Sequence, residues 1–218
     1  MNSPNRNLKS NFLSEKSTFY WRIAVFTWFF FNFLNNYRII KNAQENDWPL
    51  KYLTNWTELL NLTYSFLSLI AYFLESLQTT SNHLQKASLR VSIIVTLLYF
   101  TVDTPKFKYI DINKHLLQSI ILIADEILTN SESEDLVLNV DSFIFLGTYL
   151  TFNFFYSLRH GVVYEALDWK SSPGRSIALS SAVLVIVLPA VCFGILFCQK
   201  ISKNRFGNSY SRLSLELR

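Results

Sequence analysis

Six apolar blocks, near residues 19–35, 53–74, 88–103, 113–129, 139–160 and 176–198, alternate with short polar connections. Most of these blocks approach the roughly 20 residues an α-helix needs to cross the hydrocarbon core of a bilayer. Lipid offers no partner to backbone N–H and C=O groups, so only helices or a closed barrel can span it. Blocks this long select helices. The connections read NNYRIIKNAQENDWP, SLQTTSNHLQKAS, DTPKFKYIDINK, TNSESED and EALDWKSSPGR, and Pro49, Pro105 and Pro173 each fall in one, where a helix would end. Only 17% of the chain is charged and half is hydrophobic, against about 25% charge in an ordinary soluble domain. The expected fold is all-α, a polytopic membrane bundle of about six transmembrane helices over 19–198. A polar tail at 1–18 and a polar, basic tail at 199–218 flank it.

The sequence pI of about 9.0 raises the question of nucleic acid. The cations sit in tails and connections between apolar blocks, however, which suits lipid headgroups and not a nucleic-acid backbone. Six spans put both termini on one side. With the N-terminus inside, eleven Lys and Arg lie on that side and nine on the other. The tails tip the balance, and both termini are expected in the cytoplasm of a plasma-membrane or endoplasmic-reticulum protein. The aromatic first block lacks a small-x-small cleavage site, so it is read as a retained first span. Cys192 and Cys198 lie six residues apart in the last block, point in different directions, and act as small apolar packing residues. No metal-binding spacing and no cofactor motif is present. The expected partners are the bilayer and a membrane lipid or fatty acid ester; protein partners are not indicated.

Three blocks carry polar stripes. In the second, Thr54, Glu58, Asn61, Ser65, Ser68, Tyr72 and Glu75 follow steps of three and four; the fourth has His115, Gln118, Ser119, Asp125, Glu126 and Thr129; the fifth has Tyr149, Asn153, Tyr156, Ser157, His160 and Tyr164. Such spacing gathers each set on one helix face, and lipid drives that face inward. Interhelical hydrogen bonding accounts for Ser and Asn at such places. Three stripes with carboxylates and imidazoles also fit the lining of a polar-mouthed ligand cavity.

In a six-span chain the second and fourth helices run the same way. Thr54 opens one and His115 the other, so both lie at one membrane face, to which the YEALDWKSSPG connection returns. A threonine hydroxyl is a poor nucleophile unless a base takes its proton, and histidine suits that work. Asp111, four residues before His115, could orient the imidazole. Asp125 lies about 15 Å further along the same helix and could not. His160, at the same face, is the second choice of base, and His83 falls in a polar connection on the other side. An architectural explanation stands beside this one. Asn55 followed by Glu58 matches a capping box, which would leave Thr54 merely beside a cap, and His115 could bond a loop carbonyl at the interface. Two glycosylation sequons, at Asn55 and Asn61, lie at or inside a helix entrance and are discounted.

KYLTNWTELL resembles the K-[YF]-L-T-[FN]-[WL] signature of the rolling stone proteins, which group with the androgen-induced and androgen-dependent membrane hydrolases. DINKHLLQSIILIAD is similar to that group's fourth helix, in which an Asp-rich lead-in precedes His, with Asn three residues on and Asp ten on. Here those positions are Asp111, His115, Gln118 and Asp125. VVYEALDWKSSPG resembles the motif before the last span, with Tyr164, Asp168 and Trp169. The likeness covers most of 48–198. It implies a six-span fold and, in the hydrolase branch, hydrolysis of fatty acid esters of hydroxy fatty acids, with Thr54 as nucleophile and His115 as its partner. Gln118 stands where that group usually has Asn, and Asn55-Trp56 with DWK point to the rolling stone branch, which is linked with myoblast fusion.

The expected function is therefore an intramembrane lipid-ester hydrolase. Thr54 and His115 are the catalytic pair, with Asp111, Asn55, Glu58, Gln118, Asp125, His160 and Asp168 as supporting residues, and the Asn55 amide as the candidate oxyanion donor. The alternative is a non-catalytic membrane protein of cell fusion or adhesion, which the short connections disfavour. A channel or transporter would draw on Glu58, Asp125 and Glu126 but lacks broken helices and inverted repeats.

Overall fold

A computed structural model describes residues 13–43, 49–102, 112–129, 140–198 and 200. These residues are all-α. Helix α1 is Glu15–Ala43, with the Ser14 hydroxyl accepting the Ser17 N–H at 3.2 Å as an N-cap does. After a 3₁₀ turn at Pro49–Lys51 comes α2, Leu53–Ala71. A second 3₁₀ turn, Glu75–Leu77, leads into α3, Gln78–Val102. A π-helical turn at Ile112–Leu117 runs directly into α4, Gln118–Thr129. Helix α5 is Val140–His160. It ends at Gly161, whose φ of +106° costs glycine little and whose N–H bonds back to the Ser157 carbonyl. Helix α6 is Pro173–Cys198. It carries a π turn at Val183–Val187, just before Pro189, whose missing N–H and bulky ring disturb the preceding α-turn.

The largest departure from the sequence reading is at α3. Residues 78–87, expected as a connection, are helical, and His83 stands on a helix with its Nδ1 3.0 Å from Asp141 of α5. Hydropathy misses this part because the residues it buries, Ser81, Gln85 and Ala87, are polar or small. Helix α1 likewise reaches four residues before the expected block and about two turns past it.

Hydrogen bonds fix the helix directions. Asn36 of α1 meets Glu58 of α2, and Arg22 donates to the Ser68 carbonyl, so these two helices are antiparallel. Asn61 reaches Ser92 of α3. Residues 58, 61 and 64 of α2 bond to 118, 118 and 125 of α4, so α2 and α4 run in parallel as expected. A buried apolar cluster of Val91, Ile94, Val95, Leu146, Val183 and Leu188 joins α3, α5 and α6.

Polarity is inverted relative to a soluble domain. Asn61, Ser65, Ser142, Asn153 and Ser157 are 0% exposed, whereas Val185 is 70%, Phe193 67% and Phe155 64% exposed. Among the described residues one helix, α6, is long and apolar enough by length and composition to cross a membrane, with a mean hydropathy of 2.7 over its most apolar stretch. Helix α2 dilutes its leucines with Thr, Asn, Glu and Ser along the buried face.

Candidate active site

The head of α2 is held from three directions. Its N-cap, Tyr52, has extended backbone and no side-chain cap bond. The first helical N–H, that of Leu53, is taken at 3.0 Å by the Tyr164 hydroxyl, which arrives from the connection between α5 and α6. The Lys51 carbonyl accepts the Tyr149 hydroxyl at 2.8 Å, and the Leu50 carbonyl accepts the Trp56 indole N–H at 2.6 Å. The Trp56 ring packs on Tyr149 and Phe152 of α5 at 5.5 and 5.3 Å. The capping box expected from Asn55 and Glu58 does not form. Tyr52 is the N-cap, and the Glu58 carboxylate turns inward to accept the Asn36 amide at 2.5 Å and the Gln118 amide at 3.3 Å.

Thr54 is the second residue of the helix and half-buried. Among the described residues its hydroxyl forms no hydrogen bond. The Asn55 N–H donates to the Tyr52 carbonyl at 3.1 Å, so this amide is occupied and an oxyanion would need another donor.

His115 is buried in the π turn that precedes α4. Such turns are rare and concentrate at functional sites. Its imidazole lies flat on the Tyr99 ring, with centroids 3.7 Å apart and planes 7° from parallel. The Thr96 hydroxyl bonds the His115 carbonyl and lies 2.8 Å from the Ser119 hydroxyl. Both the ring plane and the backbone of this histidine are therefore held by α3.

Register relates the two residues. The α2–α4 hydrogen bonds join positions 57 to 61 residues apart. Thr54 lies one turn before Glu58, and His115 lies one turn before Gln118, so both stand beyond the Glu58–Gln118 bond at the same end of the two helices. Lys114 acts electrostatically on Glu58, one turn beyond Thr54. Gln118 ties the two helices just inside this level, accepting the Asn61 amide at 2.9 Å while donating to Glu58.

The remaining expected residues divide. Asp125 is not at this end. It accepts Trp21 Nε1 at 2.8 Å, Gln85 Nε2 at 3.2 Å and the Tyr64 hydroxyl, a buried junction of four helices. His160 is exposed, with its ring 4.8 Å from Tyr156. Asp168 accepts the N–H groups of Ser171 and Lys170 at 2.9 and 3.1 Å. These bonds hold its carboxyl below the usual range, that from Ser171 most strongly, and its role here is to shape a turn. Asp111 lies outside the described residues. Among the described residues no three His, Cys, Asp or Glu side chains converge as a metal site would require. Sequence reasoning passed over Tyr99 and Thr96. Ser92, Thr96 and Tyr99 follow steps of four and three, the same signal that marked the other three stripes.

Comparison with protein-family models, with curated proteins and with solved structures gives no match to this chain.

Proposed function

We propose that the chain is a multi-pass membrane protein of about six spans whose α2–α4 end hydrolyses lipid esters. The inverted polarity supports membrane embedding, because exposed Val, Ile and Phe faces with Ser and Asn interiors are stable in lipid and unstable in water. The observation that supports the site is the register of α2 and α4: Glu58 and Asn61 both bond Gln118, Thr54 is one turn before Glu58 and His115 is one turn before Gln118. There Thr54 Oγ gives its proton to the His115 imidazole and attacks the ester carbonyl. The alcohol then leaves with that proton; water, deprotonated by the same imidazole, attacks the acyl carbon, and the fatty acid is released as the imidazolium returns the proton to Thr54 Oγ. The Tyr99 stack replaces part of what an orienting carboxylate supplies, since it restricts the imidazole plane before substrate arrives. The likeness to the rolling stone and androgen-regulated group supports the same pair and an acyl-ester substrate.

The test is a comparison of Thr54→Ala, Ser, Asn and Asp, measuring turnover of a fatty acid ester and melting in detergent. Ala, Asn and Asp should abolish turnover, and Ser should retain part of it, while melting changes little because Thr54 makes no cap. A lipid-mimetic fluorophosphonate should label the wild type at Thr54 and leave the Ala variant unlabelled. An active Thr54→Asn variant, or turnover that tracks melting across the set, returns the chain to the non-catalytic alternative.

A further inference from the structure

The connection between α5 and α6 is attached to the bundle at two points. Trp169 Nε1 donates to Asn153 Oδ1 of α5 at 2.9 Å. The Tyr164 hydroxyl accepts the Leu53 N–H at 3.0 Å. Beside it, the Tyr149 hydroxyl of α5 donates to the Lys51 carbonyl at 2.8 Å, so two tyrosines hold the segment leading into α2. The Tyr52 and Tyr164 rings pack edge to face at 6.1 Å, and Trp56 covers Tyr149 from the other side. A helix normally satisfies its first N–H groups with a nearby Ser, Asp or water. Here the acceptor comes from 111 residues away, and it bonds the residue immediately before Thr54.

We propose that Tyr164 is a positioning residue for Thr54: through its bond to the Leu53 N–H, the α5–α6 connection sets where the threonine hydroxyl stands relative to His115. This rests on the hydrolase reading above. Tyr164 does not reach the reacting atoms; it acts on the backbone that carries Thr54. A displacement of the head of α2 by about 1 Å would be enough to lower the chemical rate up to a hundredfold without altering how an acyl chain binds.

The experiment compares full-length wild type, Tyr164→Phe and, as a control, Thr63→Val, which removes an exposed hydroxyl that bonds within its own turn of α2. Ester turnover, KM, fluorophosphonate labelling rate and amide exchange over the Leu53 N–H are measured in one detergent. Tyr164→Phe keeps the ring and its packing. Exchange at Leu53 should rise about five- to tenfold, the loss of one hydrogen bond. The value of kcat should fall ten- to hundredfold, with KM within about twofold of wild type. Labelling should slow in step with kcat, and Thr63→Val should change none of these. An active wild type with Tyr164→Phe equal in kcat overturns the positioning role, as does unchanged exchange at Leu53. A purely structural Tyr164 would lower melting while leaving kcat per folded molecule intact, and that outcome also overturns the role. A wild type that neither turns over ester nor labels removes the hydrolase reading itself, and the proposal with it, and that failure is visible before any variant is made.

Discussion

Helices α1 to α4 are joined to one another by side-chain hydrogen bonds, whereas α6 is joined to the rest by methyl groups and small residues. Asp125 alone gathers donors from α1, α2 and α3, and Gln118 links α4 to two residues of α2. Among the described residues no side chain of α6 hydrogen-bonds another helix; Ser176 bonds only the carbonyl of Ser172, one turn back. Its packing is apolar: Val183 and Leu188 lie in one cluster with Leu184, Val187, Val191 and Cys192 against it, and Ile195 packs against the other. The difference is one of register. A hydrogen bond with fixed donor and acceptor defines which residues stand opposite, while apolar packing is non-directional and tolerates a small shift of one helix along another. The half of the bundle that carries Thr54 and His115 is the half whose register is specified.

Asp125→Ala should have the largest effect on stability. It leaves the Trp21 indole N–H, the Tyr64 hydroxyl and the Gln85 amide without their shared acceptor, and should lower stability by about 2–5 kcal/mol. Unfolding in mixed detergent micelles measures it. A change as small as that of a surface substitution on α6 would break the contrast between the two halves. Gln118→Ala comes next, at about 1–3 kcal/mol, since it removes two interhelical bonds and leaves the buried Glu58 with Asn36 as its remaining amide donor. It should also lower ester turnover, because it loosens the α2–α4 register near Thr54, and a fall in stability with turnover per folded molecule unchanged would separate register from chemistry. Ile186→Ala, on the exposed face of α6, should change stability by less than about 0.5 kcal/mol. A larger loss, dependent on protein concentration, would mean that α6 packs against a second copy and belongs with the specified half after all.

The same contrast explains what could be read from the sequence. The apolar blocks located α2, α5 and α6 within a few residues because each has an apolar face long enough to dominate its composition. The direction of α2 relative to α4 followed from counting the blocks, and much of the inward stripes followed from spacing. Glu58, Asn61 and Asp125 are buried as expected, Tyr156 is only half-buried, and Glu75 and His160, at the ends of their stripes, are exposed. The first turns of α3 were hidden because their inward face is Ser and Gln, which reads as loop. The stripes were expected to line a cavity, and much of their polarity is instead spent on each other, as in Asn61 with Ser92 and Gln118. The cap on α2 was out of reach for another reason. A local pattern, Asn55 and Glu58, suggested a self-contained cap, while the acceptor that replaces it stands in a connection more than a hundred residues later. Tyr164 was visible as part of a stripe and a motif; its role was not, because hydrogen-bond partners across such a separation leave no trace in spacing.

The π turn at Ile112–Leu117 has a consequence for how this chain can tolerate insertions and deletions. A π turn is an α-helix carrying one residue too many. Removing one residue between 112 and 117 would let the segment relax into a regular α-helix, the more comfortable backbone. Loss of Leu116 or Leu117 would also bring His115 one position closer to Gln118, turning its side chain by about 100° about the helix axis. The imidazole would then leave the Tyr99 face, while Gln118 and Asp125 keep their places. If the proposed pair is right, the shorter and locally better helix would be inert, and the irregularity is a length that the chain has reason to keep.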